Sequence, residues 1–154
     1  MEPSEIPGYL LRHVAHEQGE RAMAEQQDLL TPGATKAGNG QYAFRMADLN
    51  QMDLGPDYAT TRGAVVEGER MMVGLGRIPK GTVSEPHWHP NEQWIYVLEG
   101  RSEMVIEGKK VVGTPGTVIY IPAKAVHEAR STGETDLVFF TCKDRSHGIA
   151  GIKA

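Results

Sequence analysis

The sequence predicts an all-β barrel or sandwich preceded by a helical extension, on three observations. From Gly40 onward apolar residues recur with a period of two and turn signals interrupt them at short intervals, the pattern of short paired strands. Before that point, from Tyr9 to Leu30, apolar residues recur at helical spacing. Within the β region two histidines stand at i and i+2, His87 and His89, a spacing that puts both side chains on one face of a strand.

Leu10, Leu11, Val14, Ala15, Ala22, Met23, Leu29 and Leu30 supply the helical stripe. It reads as one amphipathic helix, or as two broken near Gly19, since glycine inside a helix costs about 1 kcal/mol relative to alanine. Thr31-Pro32-Gly33 stops it, and a Gly/Ala-rich linker follows to Gly40. Tyr42, Phe44 and Met46 then alternate with Ala43, Arg45 and Ala47, which predicts a first strand. Further strands are expected at 61–67 and 70–78, joined at Gly68-Glu69, and at 93–98 and 102–107, turning at Glu99-Gly100. Val111-Val112, 118–121, 126–130 and 136–142 complete the set. The expected organisation is an extension and linker over 1–40, a barrel over 41–142 and a tail over 143–154.

At 154 residues there is material for one core of ordinary size. A net charge of −4, with lysine and arginine scattered, excludes the basic face a nucleic-acid partner needs. No apolar run approaches the roughly 20 residues of a membrane-spanning helix. The acidic start Met1-Glu2-Pro3-Ser4-Glu5 is unlike a basic secretory leader, so the expected location is cytoplasmic. The single cysteine, Cys142, has no internal partner for a disulfide and, in the apolar run 137–142, reads as a small core hydrophobe. A helix with no β-partner and the exposed edges of a small barrel lead us to expect a homodimer.

The chemistry is concentrated in Gly81-Thr-Val-Ser-Glu-Pro-His87-Trp-His89-Pro-Asn-Glu-Gln93-Trp94, with a third histidine, His127, further along. His-x-His alone is a weak signal, but the frame around it is regular. Five residues separate Gly81 from His87, three separate His89 from Gln93, and six separate Gln93 from Gly100. In a second frame five residues lie between Gly116 and Pro122, and His127 and Ser131 follow. Together these frames resemble the two motifs of the cupin superfamily, and the wording around His87 is similar to its oxalate-decarboxylase-like branch. The resemblance implies a double-stranded β-helix, or jelly roll, and a mononuclear metal centre. Three positions depart from the pattern. Gln93 stands where the family usually has a glutamate ligand, Lys124 where the second motif has a glycine, and Ser131 where it ends in asparagine.

With Gln93 facing the interior, alternation sends Ile95 and Val97 inward and Trp94, Tyr96 and Leu98 outward. Ser102, Met104 and Ile106 then line the interior across the turn. The expected ligands are His87, His89, His127 and Gln93, the last as fourth donor or as an amide orienting a bound water or substrate. Glu92 takes that place if the Pro90-Asn91 turn shifts the parity. Imidazoles and an amide oxygen suit one divalent transition metal, Fe(II) first, then Mn, Ni, Zn, Co or Cu, better than Mg or Ca. A small-molecule substrate is expected, and the first reading is a metal-dependent dioxygenase. The alternatives are a non-redox Lewis-acid cyclase, lyase or isomerase, and a non-catalytic small-molecule binder.

Elsewhere the plainer readings stand. His13, His16 and Glu17 form a solvated helix face, since their order is not that of a zincin. His147 belongs to a polar tail, with a lid over the barrel mouth as the alternative. Trp88 and Trp94 are packing residues, Met71, Met72 and Met104 core fillers, and Tyr120, Arg77 and Glu103 border the site without an assigned role.

Overall fold

A computed structural model describes residues 29–154. The helix expected over 9–30 lies outside these residues except for Leu29 and Leu30, which are not helical. His13, His16 and Glu17 lie outside them too. The described chain is a jelly roll of two packed sheets. In chain order its strands are β1 (Thr35–Lys36), β2 (Met52–Asp53), β3 (Arg62–Glu67), β4 (Met71–Ile78), β5 (His87–Trp88) and β6 (Gln93–Glu99). They continue with β7 (Ser102–Ile106), β8 (Lys109–Gly113), β9 (Val118–Ile121), β10 (His127–Ser131), β11 (Leu137–Asp144) and β12 (Ile152–Lys153). The larger sheet runs β1-β3-β4-β11-β6-β9, with β2 also on β3, and the smaller runs β12-β5-β10-β7-β8.

Alternation along each strand builds the interior. Ile95 and Val97 of β6, Met104 and Ile106 of β7, Ile119 and Ile121 of β9, and Leu137 and Phe139 of β11 meet in one core between the sheets. Each such side chain contributes roughly 1.5–3 kcal/mol when fully buried. A second cluster, Ala34, Leu54, Val65, Met72 and Ile149, covers the other face of β3 and β4. That cover explains why β3 is buried on both faces and shows no alternation in sequence.

Glu67, fully buried at the end of β3, ties both ends of the described chain to the barrel. Its carboxylate accepts from the Thr31 and Leu30 amides at 2.7 and 3.1 Å and lies 3.3 Å from the Arg145 guanidinium. The Ile149 amide in turn donates to the Thr31 hydroxyl at 2.9 Å. Residues 145–151 are thereby folded back over one end of the barrel.

The alternating stretch from Tyr42 to Ala47 is not a strand. It is irregular and ends in a 3-10 turn, Met46–Asp48, with Tyr42 almost wholly exposed. Alternation makes a strand only where a ladder is open. The free edge of β3 is already taken by β1, parallel at Val66 and Glu67, and by β2, antiparallel at Arg62 and Gly63. Two further differences bear on the site. β1 lies within the stretch assigned to the linker, and β11 runs beyond Cys142 to Asp144. Among the described residues no helix is long and apolar enough to cross a membrane.

Candidate metal centre

Three neighbouring pieces of backbone bring the expected donors together. β5 and β10 are paired antiparallel with His127 opposite His87, and their ring centroids are 4.2 Å apart. His89, two residues past His87, turns its ring to the same side, 4.9 Å from that of His127. Gln93 opens β6 and places Oε1 2.9 Å from His89 Nε2. All four line a single cavity of about 80 Å³ whose remaining walls are mostly apolar. The three histidines are buried.

The turn between His89 and Gln93 is fixed from within. Asn91 is buried and its amide donates to the carbonyls of Asp144 and His147, at 2.9 and 3.1 Å. The backbone amide of Lys124 donates to the His89 carbonyl at 2.8 Å. Lys124 has φ of 65°, the left-handed region that favours glycine. The departure from the second cupin motif therefore keeps the backbone shape that a glycine would take there.

Each imidazole has its Nδ1 on a main-chain carbonyl two residues away: His87 on Glu85 at 2.8 Å, His89 on Asn91 at 2.5 Å and His127 on Ala125 at 2.9 Å. A carbonyl only accepts, so Nδ1 carries the proton and Nε2 is left with a free lone pair, the arrangement that metal-ligating histidines use. Gln93 is oriented with equal definition. Its amide nitrogen donates to Thr141 Oγ1 at 2.8 Å, and the Thr141 hydroxyl donates to the Trp94 carbonyl at 3.0 Å. Gln93 Oε1 and His89 Nε2 thus face one another as two acceptors. Two lone pairs 2.9 Å apart are unfavourable alone but suit a shared cation, which would be held by both. Among the described residues no three histidine, cysteine or carboxylate side chains are arranged, as they stand, to hold a metal ion. The donor set that fits is the three imidazoles with the amide added.

The electrostatics favour neutral rings. Burial lowers the pKa of His127 to about 3 and of His89 to about 4, and lowers that of His87 as well. The positive charge of Lys143 adds to the shift in all three. Lys143 is a cavity residue not expected from the sequence. Assigned there to the polar tail, it is the last inward-facing position of β11, after Leu137, Phe139 and Thr141, and it lines the same cavity. Carrying the alternation of 137–142 one residue further, from Thr141 to the next inward position, reaches it. Burial lowers its pKa to about 7, against the pull of the Asp144 carboxylate. Tyr58 was missed as well, because its loop has no periodic signal. Its ring stacks on His87 at 3.9 Å, and its hydroxyl accepts from the Gly151 amide at 2.6 Å.

Glu92 points out of the barrel and accepts from the Tyr120 hydroxyl at 3.2 Å, so it lies outside the donor set. Trp94 is exposed on the outer face against the Tyr120 ring, and Trp88 is half-buried. Arg77 pairs with Asp136 and Glu103 with Arg101, both at the surface. Met72 and Met104 are core residues, whereas Met71 is exposed. Cys142 is half-buried on the outer face opposite Trp94, rather than in the core, because outward parity places it there. His147 contributes its carbonyl to Asn91, and it is Ile149 of the tail that reaches the cavity wall.

Residues 74–142 match the family model described as Cupin domain. The chain contains a cupin domain. A curated relative, an uncharacterized protein of Methanocaldococcus jannaschii, is 29% identical over 79 residues, 51% of this chain and 63% of that protein. The match therefore spans less than two thirds of the relative's length. Among solved structures, KdgF from Halomonas sp. superposes with a TM-score of 0.58 at 24% identity, over 68% of this chain and 94% of the other. The polyketide cyclase RemF from Streptomyces resistomycificus gives a TM-score of 0.59 at 20% identity, over 68% of this chain and 79% of its own. At these identities the likeness establishes the cupin fold, which hosts many reactions.

Proposed function

We propose that His87, His89, His127 and Gln93 hold one divalent transition metal and that the protein is a non-redox metalloenzyme acting on a small carbonyl or enol compound, of the cyclase, lyase or isomerase class. The observation that carries this reading is the neutrality of the donor set. Three imidazoles fixed as Nε2 donors face an amide oxygen, and no carboxylate lines the cavity among the described residues. A divalent ion there would keep its full charge and supply Lewis-acid polarisation of a substrate oxygen. The chain's own residues do the rest. Thr141 orients the Gln93 amide, the carbonyls of Glu85, Asn91 and Ala125 fix the imidazole tautomers, and the apolar walls keep water from competing for the substrate.

The dioxygenase reading uses the same donors with Fe(II), and three imidazoles in an apolar cavity serve it too. Neutral ligands and the Lys143 ammonium oppose the rise in positive charge that oxygen chemistry demands of the centre, which sets this reading second. Metal analysis of the purified protein, joined to a screen of diketones, catechols and hydroxy acids with and without oxygen, tests the order. Turnover in anaerobic buffer is expected. Turnover only with matching oxygen uptake would reverse the order, and a wild-type protein that takes up no transition metal would sink both readings.

A further inference from the structure

Lys143 is the least expected residue in the cavity. Its side chain is fully buried, 1% exposed, on the wall that also carries Gln93, its cross-strand partner. The ammonium has three hydrogens to donate, and it has one acceptor, the Ile149 carbonyl at 2.8 Å. Among the described residues no carboxylate lies within ion-pairing distance of it. Asp144, next in sequence, faces the other way and accepts from the amides of Glu92 and Ser146. A buried cation without a counter-charge costs several kcal/mol, and a neutral amide side chain would meet the Ile149 carbonyl equally well. Lys143 lines the same cavity as the three imidazoles, which leaves its remaining two donors available to a ligand there.

We propose that Lys143 is the anion-recognising arm of this site, so that the substrate is a small organic acid or enolate, one oxygen facing the histidine cluster and its negatively charged group held by the Lys143 ammonium. An anion at that place satisfies the two free N–H groups and favours the ammonium over the free amine. Among the described residues no Asp or Glu lines the cavity, so the counter-charge comes from the ligand. The cavity of about 80 Å³ suits a compact acid rather than a polymer. The inference rests on the metal-centre reading for the substrate's other oxygen only; the burial of Lys143 in the cavity wall, with the Ile149 carbonyl as its acceptor, stands without it.

The test compares oxalate with its neutral analogue oxamide, by calorimetry on metal-loaded and on metal-stripped protein. Wild-type protein is expected to prefer oxalate in both forms. K143Q keeps a donor for the Ile149 carbonyl and removes the charge, and should weaken oxalate binding by about tenfold or more while leaving oxamide binding unchanged, as loss of a desolvated charge partner does. K143R should restore most of the preference. Oxalate binding unchanged in K143Q, or equal binding of the two ligands to metal-stripped wild type, would overturn the proposal, and the second measurement decides the matter even if K143Q does not fold. Metal content, read separately, distinguishes this failure from failure of the metal centre: a wild-type protein that holds no metal but keeps the Lys143-dependent preference sinks the latter alone.

Discussion

The two faces of β6 and β11 are unlike in a way that reverses the usual sheet. Inward, Gln93, Thr141 and Lys143 are polar residues in an apolar cavity, with Gln93 and Thr141 held in one hydrogen-bond chain. Outward, Trp94, Tyr96, Leu98 and Phe140 are large, apolar and about two-fifths exposed, joined by Val118 and Tyr120 of β9. Register makes them one block: Phe140, Tyr96 and Val118 lie in one row and Cys142, Trp94 and Tyr120 in the next. A solvated antiparallel sheet normally carries its polar residues outward. Here a few fixed polar groups line the inner cavity where we propose that a small ligand binds, and the apolar block outside is the kind of patch we propose as a contact face.

The largest effect should come from the inner face. His127→Ala removes one of three strong donors, so its loss of metal affinity should exceed the roughly tenfold to hundredfold that changes behind a ligand cost. Elemental analysis after dialysis reads this, and Tyr96→Glu on the opposite face should keep wild-type metal content. Equal metal in His127→Ala and wild type would show the site to be misassigned.

Acid should break the same face next. In metal-free protein His89 and His127 stay neutral down to about 4 and about 3 because burial disfavours the charged rings. The unfolded chain takes up those protons near the ordinary value of 6.5. As pH falls below that value the unfolded state binds more protons, so stability drops by about 1.4 kcal/mol per pH unit for each ring still neutral in the fold. Urea midpoints measured at intervals from pH 7 to about pH 4 should fall accordingly, and His127→Ala should flatten the slope. A flat wild-type profile would mean that the rings are already solvated.

Gln93→Glu tests the charge of the centre. A carboxylate adds a negative charge beside the ion and also offers Lys143 a counter-charge across the ladder. Metal should be held tighter by about tenfold, oxalate binding should weaken, and Lewis-acid turnover should slow despite higher occupancy. Unchanged metal affinity would leave Gln93 as a structural amide. The homodimer expected from sequence rests on the helical extension and the sheet edges; we propose that it also covers the outer face at Trp94 and Tyr96. Tyr96→Glu would then shift the sedimentation mass from two chains to one, and a monomeric wild type would remove that expectation.

How much was legible in sequence follows from which forces are local. Strand positions from 61 to 142 and their inward parity came through because alternation is a property of neighbouring residues, and His87, His89, Gln93 and His127 share one cavity because two motif frames fix their strands. The stretch at Tyr42 misled because its alternation is local while the occupancy of the β3 edge by β1 and β2 is not. Lys143 and Tyr58 were harder to read for a related reason. Alternation along β11 points Lys143 inward, but a lysine after an apolar run reads as a strand end, and its burial comes from the return of residues 145–151, tied through Glu67, Thr31 and Ile149.

The smallest expected effect concerns Lys124, whose position sits between the faces in a turn closed by the Ala125 amide on the Pro122 carbonyl at 3.2 Å. Its φ of 65° costs a residue with a β-carbon about 1–2 kcal/mol. Lys124→Gly removes that strain but gives the unfolded chain more freedom, a loss of about 0.4–1 kcal/mol. The net should be a stabilisation of about 0.5–1 kcal/mol, or roughly 1–4 °C in Tm for a chain of this size. Metal content should not change, because the Lys124 contact with His89 is made by the backbone amide and survives the substitution. A fall in Tm would show that the exposed lysine side chain stabilises the turn by more than its backbone strain costs, and would place the departure from the motif under selection for something other than loop shape.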